Sequence, residues 1–390
     1  MLKLKTAAAV TLVLLACGHG PKSSLQPVPV TVSGKDGFID RTGKVVIQPQ
    51  FAQARAFAEG LALVNVGGAR TGSGPIRGGK WGYIDQTGKF VIPAQFEWAG
   101  DFSEGLALTA KVIRFDTSRM ESPVLGNYRY INKQGGTAFD VPFDRAFAFS
   151  EGRAAVATVI ERDSSGRSVK GKWGFIDQTG KTVVEPRFDA MGSVFAESLC
   201  PVLVDGKWGY IDLAGKMAIE PGFAGATGFS EGLADVDTGG QTVVRGRPGG
   251  ATGGKWGLID RSGKFVIAPQ YDMARSFSEG LAAVRIGDKN GYVDRTGKMV
   301  IQGQFDMAGN FSESLAAVSV GGTKDSTGRF QGGKWGYIDR FGKTVIAPQY
   351  DRAGEFQQGV ARVRLGDATS YIDRTGKHIW ESLKEVRSQN

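Results

Sequence analysis

The chain has 390 residues, 41% of them hydrophobic, which is enough to bury a core and excludes a disordered polymer. Its 58 glycines follow no three-residue period, so they mark turns rather than a collagen helix. The formal net charge of +9 admits an anionic partner, and two cysteines allow one disulfide at most.

In chain order the first element is MLKLKTAAAVTLVLLACGHG. Lys3 and Lys5 precede an apolar run from Ala7 to Ala16 that is too short to span a membrane. The run ends in Leu14-Leu15-Ala16-Cys17, which resembles the lipobox of bacterial lipoproteins. The resemblance implies that residues 1–16 are a signal peptide and that Cys17 becomes a lipidated N-terminus carrying acyl chains such as palmitate. Gly18, in place of an inner-membrane-retaining aspartate, implies the outer membrane. Residues 17–27 then form the lipidated cysteine and a flexible tether. With Cys17 acylated, Cys200 has no disulfide partner, and packing alone must hold the fold.

Next comes a repeat. KWGYIDQTGKFVIPAQF from Lys80 recurs from Lys172, Lys207, Lys255 and Lys334, with weaker copies from Lys35, Asn127, Lys289 and Ala368. A second block follows, as DFSEGLAL at Asp101 and FSEGLAAV at Phe277. In Trp81-Gly82-Tyr83-Ile84 the aromatic and β-branched residues read as a strand. Asp85-Gln86-Thr87-Gly88 reads as a type I turn with a bulge at the glycine, and Lys89 to Ile92 as the returning strand. Proline is expected to end that strand at Pro49, Pro93, Pro186, Pro221, Pro269 and Pro348. Tyr271 to Phe277 has apolar residues three apart, which predicts a short helical turn begun by Asp272. Leu281 to Ile286 is a third strand.

The KWG-[YF]-ID core followed by EGLA resembles the WG-repeat family of bacterial proteins. Units one, three, seven and nine depart from it, with Asp36, Tyr128, Asn290 and Thr369 in place of tryptophan. The expected fold is all-β, with about nine three-stranded meanders over residues 28–383 and a tail at 384–390. One such unit cannot bury its own faces, so the units must stack. Both terminal units carry all three strands, which favours an open solenoid; the alternative is a closed propeller-like ring.

No catalytic constellation emerges. Gly174 to Thr182 has five residues, not four, before its Gly-Lys-Thr and continues as strand, so it is no phosphate loop. His19 and His378 are isolated, and no zinc, calcium or serine-triad motif occurs. Cys200 replaces a small strand residue and reads as a buried, inert thiol. Asp85, Asp177, Asp212, Asp260 and Asp339 are turn residues by repeat position, and Glu104, Glu231 and Glu279 sit at the EGLA corner.

Charge placement is the feature that exceeds construction. Losing residues 1–16 takes Lys3 and Lys5 from 48 basic residues, leaving 46 against 39 acidic ones. Insertions at 66–79, 110–126, 158–171, 238–254 and 320–333 carry twelve basic and five acidic residues, which is the whole excess. From the fourth unit, short and long steps between units alternate, which predicts long loops on a common side. Arg70, Arg77, Arg114, Arg119, Arg162, Arg167, Arg245, Arg247 and Arg329 are the candidate partner-binding residues. The expected function is therefore a non-enzymatic, monomeric, lipid-anchored scaffold, exported to the outer membrane. It would bind a protein face or an anionic envelope polymer such as peptidoglycan or lipopolysaccharide. No cofactor, metal or nucleic acid is expected. A carboxylate-dependent envelope hydrolase and a structural spacer are the alternatives.

Overall fold

The computed structural model describes residues 26–70, 76–116, 122–162, 168–239, 241–242, 251–325 and 330–382. Nine antiparallel sheets follow one another, at 28–51, 53–96, 98–140, 145–188, 190–223, 225–271, 273–305, 307–350 and 352–381. These are blades 1 to 9. Blades 2 to 9 have four strands, and blade 1 has three, equivalent to the second, third and fourth strands of the others. No helix occurs among the described residues.

The third strand and its hairpin form as the sequence suggests. Asp85 Oδ1 accepts the Thr87 amide at 2.9 Å and hydroxyl at 2.6 Å, and the Lys89 amide at 3.1 Å. Gly88 takes the left-handed position with φ of 87°. Proline, however, does not end the returning strand. Phe90–Phe96 runs through Pro93, and its pairing jumps from Tyr83↔Ile92 to Trp81↔Phe96. The fourth strand thus carries a two-residue bulge, where a missing amide hydrogen costs nothing.

That bulge explains the glycine after the tryptophan. A Cβ on Gly336 would lie 2.4 Å from Ile346 O and 2.7 Å from Pro348 N, and the other WG glycines are equally crowded. Blades 3 and 9 have Arg129 and Ser370 there, and pair straight through that point, Arg129↔Asp140 and Ser370↔Glu381. Bulge and glycine occur together or not at all.

The expected helical turn is instead the first strand of the next blade, Met273–Ala274 in blade 7. Asp272 caps a turn of its own blade, accepting the Gly287 amide at 2.7 Å. The period-three spacing reflected a short strand running into a tight turn. In that turn Glu279 and Gly280 both have positive φ, 54° and 78°. Such a conformation costs a non-glycine residue roughly 1–2 kcal/mol. The glutamate offsets this by reaching the neighbouring blade. Glu59, Glu104, Glu151, Glu197, Glu231, Glu279 and Glu313 each accept an amide from the equivalent turn of the next blade, at 2.7–3.1 Å.

The stack closes, so the open solenoid is incorrect. Val30 and Ile39 of blade 1 share a core with Val360 and Tyr371 of blade 9. Gln358, in the glutamate position of blade 9, accepts the Gln26 amide at 3.1 Å and an Arg41 N–H. Tyr371 Oη donates to Pro29 O at 2.9 Å. The molecule is a nine-bladed β-propeller ring. The sequence unit begins at the third strand of a blade and ends at the second strand of the next, so it is out of phase with the sheets. The ninth unit is accordingly split between the chain ends, its third and fourth strands at 368–381 and its second at 28–32. Three strands in each terminal unit therefore do not argue against a ring.

Candidate functional site: the insertion face and the seam cleft

Antiparallel order puts the first–second and third–fourth turns at one end of every blade. The second–third connections and the links between blades lie at the other. All five long insertions are second–third connections, in blades 2, 3, 4, 6 and 8, so they project from one face of the ring. Blades 1, 5, 7 and 9 close the same connection with two residues: 33–34, 205–206, 287–288 and 366–367. The common side thus follows from which strands are joined, and needs no two-unit period.

The candidate arginines do not form one uniform rim. Arg70, on the ribbon pairing Ala69–Arg70 with Ile76–Arg77, is tied down. Its Nε donates to Ala52 O at 3.0 Å, and a terminal nitrogen lies 2.6 Å from Asp36 Oδ1. Arg77 lies 5.7 Å from the Phe115 ring centroid, linking the insertions of blades 2 and 3. Arg114 is exposed on Ala107–Asp116. Arg162 ends the strand Arg153–Arg162. Arg119, Arg167, Arg245, Arg247 and Arg329 lie outside the described residues, as does Cys17.

Asp36 is the residue that sequence reasoning underused. It stands in the tryptophan position of blade 1 and is buried. Besides Arg70 it accepts the Thr31 hydroxyl at 2.7 Å and the Ala54 amide at 2.8 Å. The substitution of aspartate for tryptophan was the available signal; a charged residue at a packing position calls for a cation, and Arg70 supplies it. The pair borders a cleft of about 930 Å³ between blades 9 and 1, also lined by Val30, Arg362, Tyr371 and Ser382.

A second unforeseen group is Asp235, fully buried in blade 6 where Ala155, Ala283 and Ala317 occupy the same strand position. Its Oδ2 accepts the Thr227 hydroxyl at 3.0 Å and the Ser276 hydroxyl at 3.3 Å, while Oδ1 has no hydrogen-bond partner. Burial pushes this carboxyl up to about 6. Two residues on, Asp237 is also buried and accepts the Gly239 amide at 2.9 Å. Cys200 is buried, and desolvation pushes its thiol far up, which suits an inert residue. No cluster of three or more His, Cys, Asp or Glu side chains suited to a metal occurs among the described residues.

Fold and repeat together define a β-propeller assembled from Trp-Gly units. The chain belongs to the WG-containing-repeat family, whose model, "WG containing repeat", matches eight segments: 37–68, 81–111, 128–157, 173–208, 208–241, 256–289, 291–323 and 335–367. Each match joins the third and fourth strands of one blade to the first and second of the next, which is why eight matches accompany nine sheets. No curated protein matches the sequence. Among solved structures, a eukaryotic initiation factor superposes with a TM-score of 0.51 at 13% identity, over 77% of this chain and 81% of that one. Dipeptidyl peptidase 4 of Porphyromonas gingivalis gives 0.42 at 11% identity, over 70% and 51% of the two chains. Apo AztD of Citrobacter koseri gives 0.36 at 13%, over 92% and 94%. The first likeness extends to the fold alone.

Proposed function

We propose that this propeller is a lipid-anchored scaffold of the bacterial outer membrane that binds an anionic macromolecule through its insertion face without catalysing a reaction. The observation that carries the reading is topological: all five Gly/Arg-rich insertions leave the ring on one face, and they hold the chain's excess positive charge. Arginine's planar fork suits carboxylate and phosphate groups, which envelope polymers and acidic protein faces present in series. Arg114, Arg119, Arg162, Arg167, Arg245, Arg247 and Arg329 are the residues assigned to contact, while Arg77 packs on Phe115. Arg70 serves the seam instead, through Asp36. The Leu14-to-Cys17 resemblance supports the anchor. A hydrolase would need a carboxylate pair open to a cleft; Asp235 and Asp237 of blade 6 are both buried, and Asp36, which borders the seam cleft with Asp367, is held by Arg70, the Thr31 hydroxyl and the Ala54 amide.

The test replaces those seven arginines with serine and measures retention on peptidoglycan, lipopolysaccharide and an acidic protein matrix at low salt. Loss of retention on one matrix is expected and would identify the partner class; unchanged retention on all of them would refute electrostatic binding. Separately, Cys17→Ala should move the protein from the membrane to the soluble envelope fraction.

A further inference from the structure

One turn on the face opposite the insertions departs from the repeat without serving the fold. In six blades the third residue of the third–fourth turn is a threonine or serine, and its hydroxyl donates to the turn aspartate at 2.6 Å. In blade 8 that residue is Phe341, which forgoes the bond and stands 91% exposed. Ile113, the next most exposed large hydrophobic among the described residues, is at 58%. A ring left in water adds nothing to the fold, and its surroundings indicate what it could enter.

The sector around it is cationic. Four positions recur at this end of a blade: the first, second and fifth residues of the third–fourth turn, and the clasping residue of the first–second turn. In blades 8, 9 and 1 they hold Arg340, Lys343, Arg374, Lys377, Arg41 and Lys44 against Asp339, Asp373, Asp40 and Glu313. The excess arises because blade 9 has the neutral Gln358 as its clasp and blade 1, whose first described strand is Val28–Val32, brings none. In blades 2 to 5 the same positions hold four lysines against seven acids. Glu355, exposed just before the blade 9 turn, offsets one positive charge. Of the six cations all but Arg41 are exposed, and Arg340 is tied to Glu279 O at 2.8 Å. Lys343, Lys377 and Lys44 are therefore the groups best placed to reach outward.

The chain enters the ring in this same sector. The Gln26 amide donates to the Gln358 side chain at 3.1 Å, and Arg41 donates to the same oxygen. Both groups belong to the end of the blades that bears Phe341. Nine residues lead from Cys17 to Gln26, a reach of about 30 Å at full extension. The second strand of blade 8, Leu315–Lys324, rises about 30 Å toward the insertion tips by itself. A link of that length would be used up in climbing one blade. A bilayer holding Cys17 therefore lies against the entry face, and the insertions point away from it.

We propose that the turns of blades 8, 9 and 1 form a membrane-docking edge, with Phe341 entering the headgroup–acyl boundary of an anionic phospholipid leaflet and Lys343, Lys377 and Lys44 meeting its phosphates. One aromatic ring and a few cations hold a bilayer weakly, which suits a second signal that works beside an acyl anchor. The orientation rests on the lipid-anchored reading above; the edge itself rests on Phe341 and the charges around it. Docked this way, the ring turns its arginine-bearing insertions toward the partner and its blade 2–5 turns, where acids outnumber lysines, away from the lipid phosphates.

Vesicle co-sedimentation of the mature chain carrying Cys17→Ala tests the edge with no acyl chain present. Binding is expected to vesicles of phosphatidylglycerol and phosphatidylcholine in equal parts, and not to phosphatidylcholine alone. Phe341→Thr should weaken it about tenfold or more, as loss of one inserted ring implies. Lys343→Ser and Lys377→Ser should each weaken it about fivefold, whereas Lys89→Ser in blade 2 and Lys181→Ser in blade 4 should leave it unchanged. Phe341→Thr restores the residue of the other turns, so its unfolding midpoint should equal or exceed that of the parent, and lost binding then cannot be lost folding. No binding to the anionic vesicles, or equal binding by the parent and Phe341→Thr, would overturn the proposal. So would equal losses from all four lysine variants, or a parent dimer that Phe341→Thr dissociates in sedimentation equilibrium, which would make a second copy the occupant. The anchor is tested separately by fractionation of Cys17→Ala cells, so either reading can fail without the other.

Discussion

Asp235 offers the sharpest test of the energetics. Its carboxyl is fully buried between two hydroxyls, with Oδ1 unpartnered, and burial raises it from 3.8 to about 6. The charged form is thus disfavoured in the fold. The sign follows from proton binding. Between pH 3.8 and about 6 the folded state holds a proton that the unfolded state has lost, so stability falls as pH rises through that window. Above it the full difference applies, about 3 kcal/mol at about 1.4 kcal/mol for each tenfold change in proton affinity. Asp235→Asn removes the charge at nearly constant volume, and its amide oxygen can still accept from Thr227 or Ser276. The variant should match the wild type at pH 4 and exceed it by about 2–3 kcal/mol at pH 7, in urea unfolding measured across that range. The difference between the two profiles isolates this group, because the turn aspartates, which their hydroxyl partners lower, act identically in both proteins. Tyr210, pushed up by its own burial first and by Asp235 second, stays neutral throughout the window. A pH-independent difference, or a variant weaker at pH 7, would show that the hydroxyl contacts outweigh desolvation.

The remaining expectations concern construction. Gly336→Ala should cost about 3 kcal/mol in thermal unfolding, because the Cβ meets backbone at 2.4 Å, while Ser370→Ala in bulge-free blade 9 should change little. Glu197→Ala keeps the left-handed backbone but loses both contacts to the Gly232 amide at 3.0 Å, and should destabilise by about 1–2 kcal/mol. Arg70→Ala and Asp36→Asn should couple by about 1 kcal/mol in a double-mutant cycle, since Asp36 is buried although Arg70 is exposed; additive effects would mean that Thr31 and Ala54 satisfy Asp36 alone. Cys200 should resist alkylation until the protein unfolds.

Local structure was the legible part of this sequence. Asp85, Thr87 and Gly88 specify their turn by bonds within five residues, and the aromatic and β-branched residues of Trp81–Ile84 specify a strand. Three things were hidden for physical reasons. The first strand is two residues long in most blades, too short to show a period, and its neighbouring phenylalanine mimicked helical spacing. Pro93 reads as a strand end unless one knows that Gly82 across the sheet makes room for a bulge. Closure was invisible because the repeat spans two sheets, so partial units had to be sought at 28–32 and 368–381 together. At the candidate site the charge excess of the insertions could be counted, but the commitment of Arg70 to Asp36 depends on a ribbon folding back across blade 1.

The two ends of the blades differ in how tightly they are held, and that difference bears on where function can reside. At the first–second turns, seven glutamates bind the neighbouring blade. Ser103, Ser150, Ser230, Ser278 and Ser312 add bonds to the next blade's backbone at 2.6–2.8 Å. A residue inserted there would break a link on which its neighbour depends. At the other end, the acidic residues that cap the second–third connections bind within their own blade, and links between blades there run through individual side chains such as Arg77 and Lys324 rather than through a clasp repeated at every blade, so a longer loop disturbs its neighbours less. Length variation, and with it the arginine-bearing insertions, is therefore confined to one face by the clasps on the other. Grafting an eight-residue Gly/Ser loop between Gly287 and Asp288 should leave the unfolding midpoint nearly unchanged, since loop-closure entropy grows slowly with length. The same loop between Glu279 and Gly280 should lower it markedly. Equal losses at both sites would mean that the clasps do not tie the ring, and that the one-sidedness of the insertions needs another cause.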